Sequence, residues 1–235
     1  MRQFERWAKR HCAPIYWVGD DGKPHNGTIT FLKTSSKILG LTNKHVADAL
    51  VESSFEAQST MKLGSAPFDP KYFISKHPDL DLATFEIPSV YLPLVGLSQS
   101  HEACTVTEWP PRLPGENDIL VLAGYPDRYR LGVVNEAEEF KLAWIAGKIN
   151  EKPGRNISML LGIETGTSID EDRIEPNAPL NGISGGPVFR YVDAHNIERL
   201  ELTGVVHSTD FSSCIALAHP LISLNEDGSF STERW

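Results

Sequence analysis

The sequence predicts an all-β fold, either a barrel or a sandwich. Short runs rich in β-branched and aromatic residues recur along the chain. Clusters of Gly, Asp, Asn and Ser separate them and mark turns. Pro88, Pro93, Pro110, Pro111 and Pro114 interrupt the pattern near the middle. Proline cannot donate to a sheet ladder, so this stretch is no sheet interior.

Taken in order, residues 1–12 fit a short helix with Phe4, Trp7 and Ala8 on one face. Strands are expected over 15–18, 27–33 and 37–42, with a turn at Asp20-Asp21-Gly22-Lys23-Pro24. A brief helical turn follows over 47–51, then strands over 72–76 and 82–87. A crossover between two halves is expected at about 90–115. Strands resume over 118–123, 140–149, 157–163, 188–192, 200–206 and 214–218, and residues 220–224 begin a short terminal helix. The chain shows no internal repeat and no low-complexity segment. Two units follow, residues 1–100 and residues 101–235.

Composition narrows the function classes. The 235 residues suffice to bury a sizeable core. The net charge of −9, with no Lys/Arg run, excludes a nucleic-acid-binding stripe. No stretch approaches the ~20 apolar residues of a membrane span. Cys12, Cys104 and Cys214 are odd in number and widely spaced, which reads as reduced thiols rather than a disulfide framework. The N-terminal residues are charged throughout and lack the apolar core of a signal peptide, so a cytoplasmic location is expected. The sequence does not specify an oligomeric state.

Three segments carry chemistry. Asn181-Gly182-Ile183-Ser184-Gly185-Gly186-Pro187 sets a serine among glycines, where a tight turn exposes a hydroxyl and aims N–H groups at one point. Thr42-Asn43-Lys44-His45-Val46 places a histidine after an apolar run, and Asp81-Leu82-Ala83 an aspartate before another. A serine hydroxyl needs a base within reach, and imidazole suits that task near neutral pH. The aspartate would hold the ring tautomer. Asp48 and Asp79 are rivals for that place. Asp81 is favoured because Leu82 and Ala83 would bury it behind the ring. The order His, Asp, Ser is one of the known triad orders.

These segments resemble those of the chymotrypsin/trypsin-like serine peptidases of bacterial type, over about residues 14–224. The resemblance implies two packed six-stranded antiparallel β-barrels with short terminal helices and a cleft between them. It implies a serine endopeptidase acting on polypeptides through an acyl-enzyme, with His45, Asp81 and Ser184 catalytic and no metal or cofactor. The N–H groups of Gly182 and Ser184 would form the oxyanion hole. Ile183 departs from the animal members, which carry an aspartate there that pairs with a freed N-terminus, so no clipping is expected. In the family the strand near Thr203 to Ser208 lines the primary specificity pocket, which makes His207 and Ser208 candidate substrate-binding residues. Val206-His207-Ser208 resembles the glutamyl endopeptidases, in which the imidazole binds an acidic side chain. The bland reading, a histidine that bonds Asp81 or the sheet, remains open. Pro179 departs from the glutamyl pattern, and Ala178 lacks the acid that selects Lys and Arg. A partner-regulated binding or signalling module on the same scaffold is the alternative function, and an esterase a third. Three other groupings are weaker. His101-Glu102-Ala103-Cys104 lacks a second ligand cluster, Gly162 and Gly166 make no phosphate loop, and Glu136, Glu138 and Glu139 read as a solvated acidic edge.

Overall fold

The computed structural model describes residues 2–96, 100–134, 137–151, 153–161, 167–169, 180–194, 197–210 and 212–231. Glu136, Gly162, Gly166, Ala178 and Pro179 lie outside them. Helix α1 (Arg2–His11) opens the chain. Its Glu5 and Lys9 pair one turn apart at 2.9 Å. Trp7 meets Phe189 edge-on at 4.4 Å and Phe4 meets Tyr191 at 5.7 Å, so α1 docks on the second half of the molecule.

The first half comprises β1 (Cys12–Val18), β2 (Pro24–Lys33), β3 (Ile38–Thr42), α2 (Lys44–Glu52), α3 (Phe55–Gln58), β4 (Lys62–Leu63), β5 (Ala66–Pro67), β6 (Phe73–Lys76), β7 (Ala83–Glu86), α4 (Leu92–Val95) and β8 (Cys104–Thr105). Its strands run β5-β4-β1-β2-β3-β7-β6, with β8 parallel beside the end of β2. The sheet curls around one core: Ile15 and Leu63 from one end meet Ile29, Phe31 and Phe85 from the rest. The first sheet therefore extends past residue 100 through β8.

The second half comprises β9 (Ile119–Gly124), β10 (Arg130–Val134), β11 (Ala137–Phe140), β12 (Ala143–Ile149), β13 (Ile157–Leu161), β14 (Thr167–Ile169), β15 (Pro187–Ala194), β16 (Ile197–Asp210) and β17 (Ile215–Pro220). Six of them, β13-β17-β16-β15-β9-β12, close into an antiparallel barrel through the β12–β13 pairing. Leu120, Leu122, Ile145, Val188 and Val206 fill it.

Strand alternation explains how the halves join. On β2, Ile29 and Phe31 face their own core, while Leu32 enters a third, central core. On β12, Ile145 faces the barrel and Trp144 the central core. That central core takes Leu39, Leu41 and Leu82 from the first half and Val121, Phe189 and Val205 from the second. Strands with both faces buried read as continuous apolar runs, which is why their boundaries are blurred in the sequence.

Two expectations are corrected. The run 140–149 is two elements: Phe140 ends β11, Lys141 and Leu142 belong to neither strand, and β12 starts at Ala143. Residues 220–224 form no helix. Pro220 still pairs with Gly204 on β16, and Leu224 bridges to Phe230 instead. The Asp227 carboxylate accepts the Ser229 N–H and Gly228 takes a φ of +90°, so the chain reverses before a helix can form.

Candidate active site

The histidine is set by a helix start. Asn43, fully buried and extended, precedes α2, but its side chain caps nothing. Its Nδ2–H donates instead to the Asp81 carbonyl at 2.8 Å. The first N–H groups of a helix have no partner within it. That of His45 donates to Asp81 Oδ1 at 2.9 Å, and the His45 ring lies against Oδ2, with Nδ1 at 2.6 Å. A carboxylate only accepts, so His45 Nδ1 carries the proton and Nε2 is left as acceptor. The Asp81 loop is shaped by its neighbours: His77 Nδ1 accepts from the N–H groups of Asp79 and Leu80. Leu80 and Leu82 anchor it in the central core. Burial pushes the Asp81 carboxyl up. The hydrogen bonds from the His45 ring and N–H, with attraction from His45 and His207, outweigh that and hold it at about 2. Asp48 pairs with Lys76 at 2.7 Å, and the Asp79 N–H is held by His77.

The serine sits on a turn wedged between the halves. The Ile183 N–H donates to the Leu180 carbonyl and the Gly186 N–H to the Ile183 carbonyl, while Gly182 and Gly185 take φ of +93° and +86°. Glycine adopts that region without the penalty of a Cβ. Strand β2 clamps the turn. The Thr28 N–H donates to the Ser184 carbonyl at 3.0 Å, Thr28 Oγ1 to that of Gly182 at 2.9 Å and Thr30 Oγ1 to that of Gly185 at 2.8 Å. From the other side Gly185 and Gly186 pair with Val206 of β16. Ile183 is buried in the second barrel, where an aspartate would be costly. Among the described residues neither the Gly182 N–H nor the Ser184 N–H has an acceptor.

His207 links the two parts. Val206 pairs with Ala218 and Ser208 with Leu217, so His207 is the extra residue of a β-bulge. Bulges re-aim side chains beside active sites. Here the ring lies on Asp81 Oδ2, with Nδ1 at 3.1 Å, and the His207 carbonyl accepts from Ser184 Oγ at 3.3 Å. Among the described residues that is the hydrogen bond Ser184 Oγ makes. Behind His207, the ring of His219 on β17 lies tilted against it at 4.6 Å. His219 is only 5% exposed, and burial pulls it down to about 4. Ser208 lines a cavity of about 390 Å³ with Asp210, Ser158 and Ser213. Sequence reasoning missed His219, since nothing local ties it to the histidine opposite.

Among the described residues no group of three or more His, Cys, Asp or Glu side chains is disposed to hold a metal. His101 packs on Phe31 and Cys104 lies in the central core.

No family model matches the chain, and no curated protein matches its sequence. Solved structures do. A serine endoprotease from Yersinia pestis superposes with a TM-score of 0.51 at 17% identity, over 93% of this chain and 61% of that one. The HtrA-type protease AlgW gives 0.41 at 16%, over 90% and 56%, and the protease Anisep from Arthrobacter nicotinovorans 0.43 at 13%, over 90% of each chain. The chain thus spans about three fifths of the length of the Yersinia protein it resembles. None of the described helices is long and apolar enough to cross a membrane. With its closed antiparallel barrel, its second curled sheet and the likeness to the Yersinia structure, the chain has the chymotrypsin-like serine peptidase fold.

Proposed function

We propose that the chain is a serine endopeptidase that hydrolyses polypeptides through an acyl-enzyme. The observation that carries the reading is the His45 Nδ1 to Asp81 Oδ2 contact at 2.6 Å beside a serine on a glycine-flanked turn. A rotation about χ1 turns Ser184 Oγ from the His207 carbonyl toward His45. His45 Nε2 takes the hydroxyl proton as Oγ attacks the scissile carbonyl carbon. The oxyanion receives the N–H groups of Gly182 and Ser184, a donor pair worth ~3–4 kcal/mol per bond to the transition state. Collapse of the intermediate breaks the C–N bond, and His45 returns its proton to the leaving amine. Water, deprotonated by His45, then releases the acyl group. Asp81 stays ionised and stabilises the imidazolium. Ser208 and the cavity beside it offer a site for substrate side chains. Cys12, Cys104 and Cys214 form no disulfide, which fits a reducing, cytoplasmic compartment.

The test is labelling by a fluorophosphonate and cleavage of a peptide library, wild type against Ser184→Ala. Both should vanish in the variant. Residual proteolysis would remove Ser184 from its role. A second reading, a partner-regulated module, is favoured by the Ser184 hydrogen bond to the His207 carbonyl. Labelling that requires an added partner protein would select it.

A further inference from the structure

Strand register builds one face of the second barrel beyond His207. Ser208 pairs with Leu217 and Asp210 with Ile215, and Ser158 of β13 pairs with Leu217 from the other side. Residues paired across strands point to the same side, so these side chains share a face. With Glu151, from the connection between β12 and β13, they line the cavity of about 390 Å³. Ile215 and Leu217 are half-buried and make its lining partly apolar, while Ser208, Asp210 and Glu151 are exposed. Two carboxylates line it and, among the described residues, no Lys or Arg does. Arg155 precedes the lining residue Asn156, but its charge bears on His77.

The Asp210 carboxylate is held in place. Oδ1 accepts the Ser212 N–H at 2.9 Å and Ser212 Oγ at 2.7 Å, and Oδ2 accepts Ser213 Oγ at 2.7 Å. Those hydrogen bonds keep its carboxyl below the usual carboxylate range, so it is ionised near neutral pH. Each carboxylate oxygen has two lone pairs, which leaves Oδ2 able to accept once more.

The cavity is close to the nucleophile but not at it. The His207 carbonyl accepts from Ser184 Oγ at 3.3 Å. A strand rises ~3.3 Å per residue, which puts Asp210 about 10 Å farther along β16. Among the described residues, no strand pairs with 208–210 on the side away from β17. An extended peptide laid on that open edge, its scissile bond at Ser184, brings a side chain two or three residues from the bond over the cavity.

We propose that this cavity is a substrate subsite for a cationic side chain, lysine or arginine, with Asp210 and Glu151 as its specificity-determining residues. The aliphatic stem lies along Ile215 and Leu217 and the charged head meets the carboxylates. An acidic side chain would meet two like charges there. The inference rests on the peptidase reading for what occupies the cavity, not for the cavity's chemistry.

The experiment compares peptides that differ at one position, two or three residues from a bond the wild type cleaves, with lysine, norleucine or glutamate there. Norleucine keeps the stem without the charge. Wild type should favour lysine over norleucine about fivefold in kcat/KM and disfavour glutamate, and raising salt should shrink the ratio. Asp210→Asn keeps a side-chain oxygen for the Ser212 hydrogen bonds and should bring lysine and norleucine within about twofold. Glu151→Gln should lower the ratio in the same direction, and it replaces Asp210→Asn if that variant melts below the assay temperature. A lysine preference unchanged in these variants overturns the proposal. So does a wild-type preference confined to the residues at the cleaved bond. A binding measurement needs no turnover: in Ser184→Ala, the Ile215 and Leu217 amide NMR signals should shift with Ala-Lys-Ala-Ala at lower concentration than with its norleucine analogue. Normal fluorophosphonate labelling of wild type with no selectivity for lysine would overturn the subsite alone. Lysine-selective shifts in a protein whose Ser184 resists the label and which cleaves no peptide would overturn the peptidase reading alone.

Discussion

Replacing Gly185 by alanine tests whether the nucleophile turn is wedged between the two halves. A Cβ at that position would lie 2.2 Å from the Thr28 carbonyl oxygen, 2.4 Å from Thr42 Oγ1 and 2.9 Å from Thr42 Cα. Ordinary carbon contacts fall at ~3.5–4.0 Å. Two of these atoms are backbone, and the hydroxyl is engaged with the Thr28 carbonyl at 2.8 Å, so none can swing aside. The φ of +86° adds a conformational cost of about 1–3 kcal/mol for alanine. Overpacking adds about 1–3 kcal/mol more. Together they predict a loss of about 4 kcal/mol, which for a chain of this size lowers Tm by about 10 °C. Two other glycines separate the causes. Gly132 has a φ of +105° but open space around its Cβ position, so Gly132→Ala should cost only about 1–3 kcal/mol. Gly154 has neither positive φ nor a neighbour within 4 Å, and Gly154→Ala should stay within ~0.5 kcal/mol of wild type. Thermal melts followed by circular dichroism, with the rate of fluorophosphonate labelling, read the series. If Gly185→Ala melts within ~2 °C of Gly154→Ala, the wedge is not there and the turn is free to move.

Further outcomes follow from the same geometry. Asp81→Asn should reduce kcat by about 10⁴, because the amide can hold the wrong His45 tautomer, and a stopped assay on any cleaved peptide will measure it. The same substitution should change acid stability. Asp81 is held at about 2 against an ordinary 3.8, so its ionised form contributes about 2 kcal/mol above pH 4, lost as pH falls toward 2. Melts of Asp81→Asn should lack that part of the acid dependence. His219 acts in the same direction at higher pH: its folded value of about 4 lies below the ordinary 6.5, so the unfolded chain binds the proton first and stability drops by about 3 kcal/mol between pH 6.5 and 4. His219→Phe should flatten the stability profile over that range, and an unaltered slope would argue that the ring is solvated. Thr28 Oγ1 donates to the Gly182 carbonyl and accepts the Tyr125 N–H at 3.0 Å. Thr28→Val should therefore cost about 1–3 kcal/mol by chemical denaturation and slow labelling of Ser184.

Much of this was legible residue by residue, where the constraint is local. Gly182 and Gly185 announce a turn because only glycine tolerates its backbone. His45 follows an apolar strand and opens a helix, and Asp81 precedes a strand that must be buried. Long-range features were not legible. The orientation of His207 depends on a bulge that exists only relative to β17, and a bulge leaves no signature in a run of Val, His and Ser. The pairing of β10 with β11 is likewise illegible, since a two-stranded ribbon outside both larger sheets needs no apolar alternation, although Phe140 at its base packs on the central core. The split between β11 and β12 was hidden because Leu142 is buried like a strand residue. The choice between barrel and sandwich lay in the β12–β13 closure, a pairing that strand propensity does not encode.

The clamp by Thr28 and Thr30 has one more consequence. Two residues at the seam between the halves also shape the loop bearing Ser184, so docking within one chain and active-site assembly share the same contacts. Any influence that loosens the seam, from a bound protein to a remote cavity, reaches the hydroxyl without passing through either barrel's interior. Control of this molecule can therefore be exerted from its waist.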